Sequence, residues 1–130
     1  MRFMQINMKK AFVACIELNK CLLELDHFVV FVTEPYRNKG KLAGFPSTIG
    51  RVTGSSKDMR TGILFGGGAE VIGDETLSNS DCTVGLLQAG DQSIMLASVY
   101  LDIKQTASMA PESSRLCQEK TLFLDNWYGQ

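Results

Sequence analysis

A mixed α/β fold that opens on a βαβ unit and later closes on a β-hairpin is what this sequence predicts, on three observations. Arg2 to Asn7 alternates polar with apolar residues, whereas Lys9 to Leu25 returns apolar residues at helical spacing. Phe28 to Val32 is an unbroken β-branched and aromatic run, the pattern of a strand covered on both faces. Cys82 to Gln88 and Ser93 to Leu101 are two further strand patterns separated by Ala89-Gly90-Asp91-Gln92, a short glycine-containing turn.

In order along the chain, Arg2 to Asn7 is predicted as the first strand. The helix follows over Lys9 to Leu25, with Phe12, Cys15, Ile16, Leu22, Leu23 and Leu25 inward and Lys9, Lys10, Glu17, Lys20 and Glu24 on other faces. The second strand, Phe28 to Val32, must then run parallel to the first with a right-handed crossover. Pro35 ends it, and residues 36 to 58, rich in Gly, Ser, Lys and Arg, are expected to be one long loop of the kind that tends to be functional. Arg60 to Phe65 is a strand closed by Gly66-Gly67-Gly68, and Val71 to Leu77 is a weaker strand interrupted by Gly73. Beyond Asp102, Lys104 to Pro111 is a connector, Glu112 to Lys120 a short helix, and Thr121 to Leu124 a short apolar run.

Composition bounds the function classes. With 130 residues and 45% apolar content the chain can bury a core, and its longest apolar run is far short of the ~20 residues that span a bilayer. Lys9 and Lys10 before Ala11 to Ile16 faintly resemble a signal peptide, but Glu17 cuts the apolar stretch short, so the start reads as mature sequence. Cys15, Cys21, Cys82 and Cys117 form no C-x-x-C pair, which argues against structural zinc, and the apolar setting of Cys15 and Cys21 favours buried free thiols in a reducing, intracellular compartment, nucleus or cytoplasm. Net charge is -1, yet Pro35 to Arg60 holds Arg37, Lys39, Lys41, Arg51, Lys57 and Arg60 against Asp58 alone, which is +5 there and -6 elsewhere. Such a basic stretch suits phosphate, and equally a solvated loop.

Of the chemistry-bearing residues, Gly66-Gly67-Gly68 lacks the Lys-Ser or Lys-Thr of a phosphate loop and reads as a turn, and His27, between helix and strand with no acid at readable spacing, reads as structural. Glu34 differs, because it follows a fully apolar strand, where open α/β sheets place their chemistry. Asn7 closes the neighbouring strand and Tyr100 ends another, so a carboxamide, a carboxylate and a phenol are expected at neighbouring strand ends. Hard oxygen donors of that kind suit Mg²⁺ and a phosphate. The alternatives are a helix cap for Asn7, a solvated strand end for Glu34 and a backbone-bonded hydroxyl for Tyr100.

Met4-Gln5-Ile6-Asn7 with its following helix, then Val32-Thr33-Glu34-Pro35-Tyr36, Arg60-Thr61-Gly62-Ile63-Leu64 and Ser98-Val99-Tyr100-Leu101-Asp102-Ile103, resemble in order and spacing the endonuclease domain of non-LTR retrotransposons. That family belongs to the exonuclease–endonuclease–phosphatase superfamily, which includes abasic-site endonucleases. The resemblance implies the amino-terminal half of a four-layer α/β sandwich over residues 1–103, and Mg²⁺-dependent cleavage of a DNA phosphodiester. It implies Glu34 as metal ligand and Asn7 and Tyr100 as catalytic residues, and the basic stretch after Glu34 offers Arg37, Lys39 and Lys41 as candidate DNA contacts. DNA is the implied partner, with a missing carboxy-terminal half or a reverse transcriptase module beside it, and no membrane.

Residues 104–130 depart from the pattern. The family's Asp-x-Asn motif should follow an apolar strand, and here Leu122-Phe123-Leu124 leads straight into Asp125-Asn126, with no Asp-His pair after it. The expectation is a truncated or frame-disturbed tail, an endonuclease module that is inactive as this chain alone, and inner-face residues such as Phe31, Ile63, Val84 and Val99 left without cover. The alternative is a non-catalytic remnant or small α/β binding module.

Overall fold

The computed structural model describes residues 1–54 and 58–101. Strand β1 (Arg2–Asn7) pairs in parallel with β2 (Phe28–Thr33), from Arg2 opposite Phe28 to Asn7 opposite Thr33, and helix α1 (Phe12–Leu22) makes the crossover. Strand β6 (Thr61–Gly66) runs antiparallel on the other side of β2, and β5 (Gly50–Val52) forms the edge, giving the order β1-β2-β6-β5. A second sheet is built from β7 (Glu70–Gly73), β8 (Cys82–Ala89) and β9 (Gln92–Val99), all antiparallel.

Every residue of β2 is buried, as its uninterrupted apolar sequence requires. Its even-numbered side chains, Phe28, Val30 and Val32, pack with Cys15, Leu18 and Leu22 of α1. Val29 and Phe31 face the other way and join Ile63, Val71, Leu87 and Leu96, so the second sheet covers the inner face of the first. The expected lack of cover is therefore overturned for Phe31 and Ile63, which are 2% and 0% exposed between the sheets, whereas Val84, buried, and Val99, half-buried, alternate to the other face of the second sheet. Burying a side chain the size of Phe or Ile contributes roughly 1.5–3 kcal/mol. Helix, sheet and sheet are successive layers of the mixed α/β sandwich that the sequence predicts.

Helix α1 is shorter than the periodicity suggests. Lys9 and Lys10 both take left-handed backbone, φ 51 and 59, and Ala11 is extended at the N-cap, so the helix begins only at Phe12. The buried stripe is Cys15, Leu18 and Leu22, while Phe12, Ile16 and Leu23 of the predicted inner face are exposed, as is Cys21. The connection that reads as one loop holds structure too. Arg37–Asn38 (β3) and Lys41–Leu42 (β4) form a small hairpin whose turn residues, Lys39 and Gly40, both have positive φ, as a type I′ turn demands. The loop then crosses α1 at Gly44, whose carbonyl accepts from Asn19 Nδ2 at 2.9 Å. A Cβ at Gly44, where φ is 95, would stand 2.5 Å from Cys15 Sγ.

The remaining strands lie close to their predicted places. Strand β7 spans Glu70–Gly73, the first part of the weaker pattern. Gly67 and Gly68 adopt the positive φ of a turn, and Gly67 O accepts from the His27 N–H at 3.0 Å, which fixes His27 at the far end of β2 from Glu34. In the hairpin of β8 and β9 the turn proper is Gly90-Asp91, with Gly90 at φ 63. The predicted connector, helix and tail, with Cys117 and Asp125, lie outside the described residues.

Candidate site at the rim of two sheets

Asn7 and Glu34 emerge side by side because β1 and β2 are adjacent and parallel, with Asn7 opposite Thr33. Glu34 sits at φ 47, a left-handed conformation that is uncommon for a residue with a Cβ. Its N–H donates to Arg60 O at 2.9 Å, and its carbonyl accepts from the Lys10 N–H at 2.8 Å. Bonds on both sides hold the backbone in this conformation, and together with Lys9 and Lys10 it makes three left-handed non-glycine residues at one end of one strand pair. Strain of that kind, worth about 1–3 kcal/mol per residue, persists where surroundings over-determine it and gathers at functional sites.

Tyr100 follows the last residue of β9, in the second sheet, and its phenol donates to Glu34 Oε1 at 3.1 Å. Two further polar contacts tie the sheets behind it: Ser98 Oγ donates to Val32 O at 3.1 Å, and Thr61 Oγ1 meets Thr83 Oγ1 at 2.7 Å. Arg60 completes the arrangement. Its guanidinium lies 4.9 Å from the Tyr100 ring centroid and is held by two bonds to Asp81, Nε to Oδ1 at 2.6 Å and Nη2 to Oδ2 at 2.8 Å. Asp81 also accepts the Tyr100 N–H on its carbonyl at 2.8 Å, so one residue fixes both the arginine and the backbone of the tyrosine. Cation–ring contacts of this kind contribute roughly 0.5–2 kcal/mol.

The structure thus brings Glu34 and Tyr100 into contact and sets Asn7 beside them by register. Asn7 Oδ1 accepts from the Lys9 N–H at 2.9 Å, shaping the turn after β1, and the helix N-cap is Ala11, so Asn7 is not the helix cap. Arg60 and Asp81 are site residues that the sequence reading missed, since an Arg and an Asp twenty-one positions apart carry no pairing signal.

The six basic residues of the predicted loop separate by role. Arg51 Nη2 donates to the carbonyls of Phe45, Pro46 and Ile49 and so braces its own loop, and Arg60 serves Tyr100. Arg37 and Lys41 lie on opposite faces of the small hairpin, since Arg37 pairs with Leu42 and Asn38 with Lys41, and Lys39 is in its turn. Arg37 lines a cavity of about 380 Å³ with Lys10, Pro35, Tyr36, Gly40 and Asp58. Lys57 lies outside the described residues.

A magnesium ion is tested by the donors present. Glu34 offers a carboxylate at a sheet rim and Asn7 a carboxamide beside it, both hard oxygen donors, and Mg²⁺ typically takes one or two protein carboxylates and completes its shell with water and phosphate. The donor set fits that mode. No group of three or more His, Cys, Asp or Glu side chains able to hold a metal by themselves occurs among the described residues. No helix among the described residues is long and apolar enough to cross a membrane.

Comparison with known proteins gives the fold and stops there. No family model matches the chain, and no curated protein matches it. Among solved structures, the endonuclease domain of TRAS1, a telomere-specific non-LTR retrotransposon, is similar with a TM-score of 0.56 at 15% identity, over 85% of this chain and 51% of that one. The likeness is one of fold alone, and this chain spans about half the length of the domain it matches.

Proposed function

We propose that this chain is part of a Mg²⁺-dependent DNA endonuclease module of the non-LTR retrotransposon type, contributing the metal-holding and phosphate-holding side of the site but inactive by itself. The contact between Tyr100 and Glu34 carries the reading, because it joins two strand ends 66 residues apart into one polar rim beside Asn7. Glu34 would hold the ion together with water and a substrate phosphate. Mg²⁺ bound there supplies polarisation of a phosphate oxygen and offsets charge on the leaving oxygen. With its Oδ1 engaged by Lys9, Asn7 presents Nδ2 as a donor to phosphate, and Tyr100 turns its hydroxyl from Glu34 to the same group. In this reading the groups that activate water come from outside residues 1–101.

Manganese broadening of backbone amide resonances, measured with and without a short DNA duplex, tests the assignment. Broadening centred on residues 7, 34 and 100, strengthened by DNA and abolished in Glu34→Ala, is expected. Broadening centred elsewhere would sink it. The second reading is a phosphate-binding module without chemistry, favoured by the bond that already occupies Glu34 Oε1, and it predicts DNA binding with no manganese response at residue 34.

A further inference from the structure

Next to Glu34 lies a cavity that the rim chemistry does not use. Its walls are Lys10, which follows β1, Pro35, Tyr36 and Arg37, which follow Glu34, and Asp58 and Gly40. At about 380 Å³ it falls within the roughly 300–1,000 Å³ typical of ligand pockets. Two basic residues from different parts of the chain, Lys10 and Arg37, line it, and Lys39 and Lys41 do not. Gly40, at φ 76, borders open space, where a built Cβ meets nothing within 4 Å. Tyr36 also lines it, and its ring packs against Phe12 with centroids 5.2 Å apart at 59°.

The backbone places Lys10 there at a cost. A left-handed φ of 59 is unfavourable for lysine, and the conformation is held by the Lys10 N–H bond to Glu34 O, so the position of this cation is tied to the position of the carboxylate. A lysine, an arginine and a tyrosine lining one open hollow are residue types that hold a nucleic-acid strand, with cations on phosphate and an aromatic ring against sugar or base. Tyr36 is two residues beyond Glu34, at most about 7.6 Å along the chain at 3.8 Å per step, so the hollow is adjacent to the rim.

We infer that the cavity between Lys10 and Arg37 seats the backbone phosphate of a DNA strand next to the phosphate at Glu34, and that Asp58 weakens this grip. The inference rests on the proposed reading for the identity of the strand, but needs no metal. Asp58 shares the cavity with both cations, so its carboxylate repels the phosphate they attract.

The test is the affinity of the full chain for a fluorescent DNA duplex in EDTA, followed across salt concentrations. Lys10→Asn removes the charge with a residue that tolerates left-handed backbone, and Arg37→Gln removes the second. Each should weaken binding about 3- to 10-fold at low salt and reduce the salt slope by about 0.9, the loss of one phosphate contact. Asp58→Asn, at an exposed position, should tighten binding about 3-fold, a gain that a damaged fold does not produce. Lys41→Gln, on the other face of the hairpin, is the control and should change little. Equal losses from Lys10→Asn and Lys41→Gln, or no gain from Asp58→Asn, would overturn the site. In a parallel titration, inorganic phosphate should shift the amides of residues 10, 36 and 37 only weakly; saturation by free phosphate at the DNA concentration would assign the cavity to a small anion instead. The metal assignment is read from manganese broadening at residue 34 and the cavity from affinity in EDTA, so failure of the one and failure of the other give different results.

Discussion

Thr61 and Thr83 place their hydroxyl oxygens 2.7 Å apart with both residues fully buried, linking β6 of one sheet to β8 of the other inside an apolar core. Each hydroxyl is worth keeping only while its partner is there. Thr61→Val should cost about 1–3 kcal/mol, the penalty for a buried polar group that loses its bond. The double variant Thr61→Val/Thr83→Val should recover most of that loss, since apolar groups of the same shape leave nothing unsatisfied. Urea unfolding of the four-member cycle measures the coupling, and additive losses would mean the pair is not what joins the sheets.

Glu34 is expected to bind more than it cuts. Purified chain with Mg²⁺ should leave supercoiled plasmid intact, and Glu34→Ala should behave the same. A single carboxylate holds Mg²⁺ weakly, and each missing general base or charge-stabilising donor typically costs about 10²- to 10⁴-fold in rate. Nicking that disappears in Glu34→Ala would show that the chain carries a complete site.

The thiols should separate sharply in reactivity. Cys15 is buried against Ala43 O, and burial pushes its pKa above the ordinary thiol value, whereas Cys21 on the same helix is exposed. Site-resolved alkylation at neutral pH should label Cys21 at least about tenfold faster than Cys15, since the thiolate is the reactive form and access is required. The raised Cys15 value also has a sign: the fold keeps the thiol protonated, so stability falls as pH rises past the ordinary thiol range, where only the unfolded chain ionises freely. Comparable labelling of the two cysteines in folded protein would contradict the packing of α1.

Asp74 gives the acid side of the profile. Its Oδ1 accepts from Thr76 Oγ1 at 2.6 Å and from the N–H groups of Thr76 and Leu77, and the Thr76 hydroxyl is the main cause that holds its pKa below the ordinary carboxyl value. A lowered value in the fold means stability present above the unfolded pKa and lost as pH falls through the folded one. Denaturation midpoints of the native chain and Asp74→Asn should differ at pH 7 and converge as the carboxylate protonates. A gap that stays constant into acid would remove Asp74 from the pH dependence.

Long, regular elements were legible from sequence because their patterns are long enough to have a period: β1, β2 and the hairpin of β8 and β9. Strands of two or three residues, such as β3, β4 and β5, have none, so their stretch looks like a loop. The beginning of α1 was misplaced because Lys9 and Lys10 suit a helix by propensity, and the bonds of Lys9 to Asn7 and of Lys10 to Glu34 keep them out of it. At the site, Glu34 could be found from its place after an apolar strand. Its contact with Tyr100 joins two sheets, and the bracing of Tyr100 by Arg60 and Asp81 is likewise tertiary. Lys10 was concealed by the helical pattern to which it had been assigned.

The left-handed backbone of Glu34, Lys9 and Lys10 also leaves a record in descent. Glycine or asparagine at these positions would relieve on the order of 1 kcal/mol of conformational cost each, so the fold itself rewards their loss. Natural chains keep such residues only while something other than stability selects them. Gene copies still under selection for this rim will retain Glu34, and copies released from it will drift toward glycine or asparagine there sooner than at any acid on the exposed face of α1, turning one codon into a gauge of how long the site has been unused.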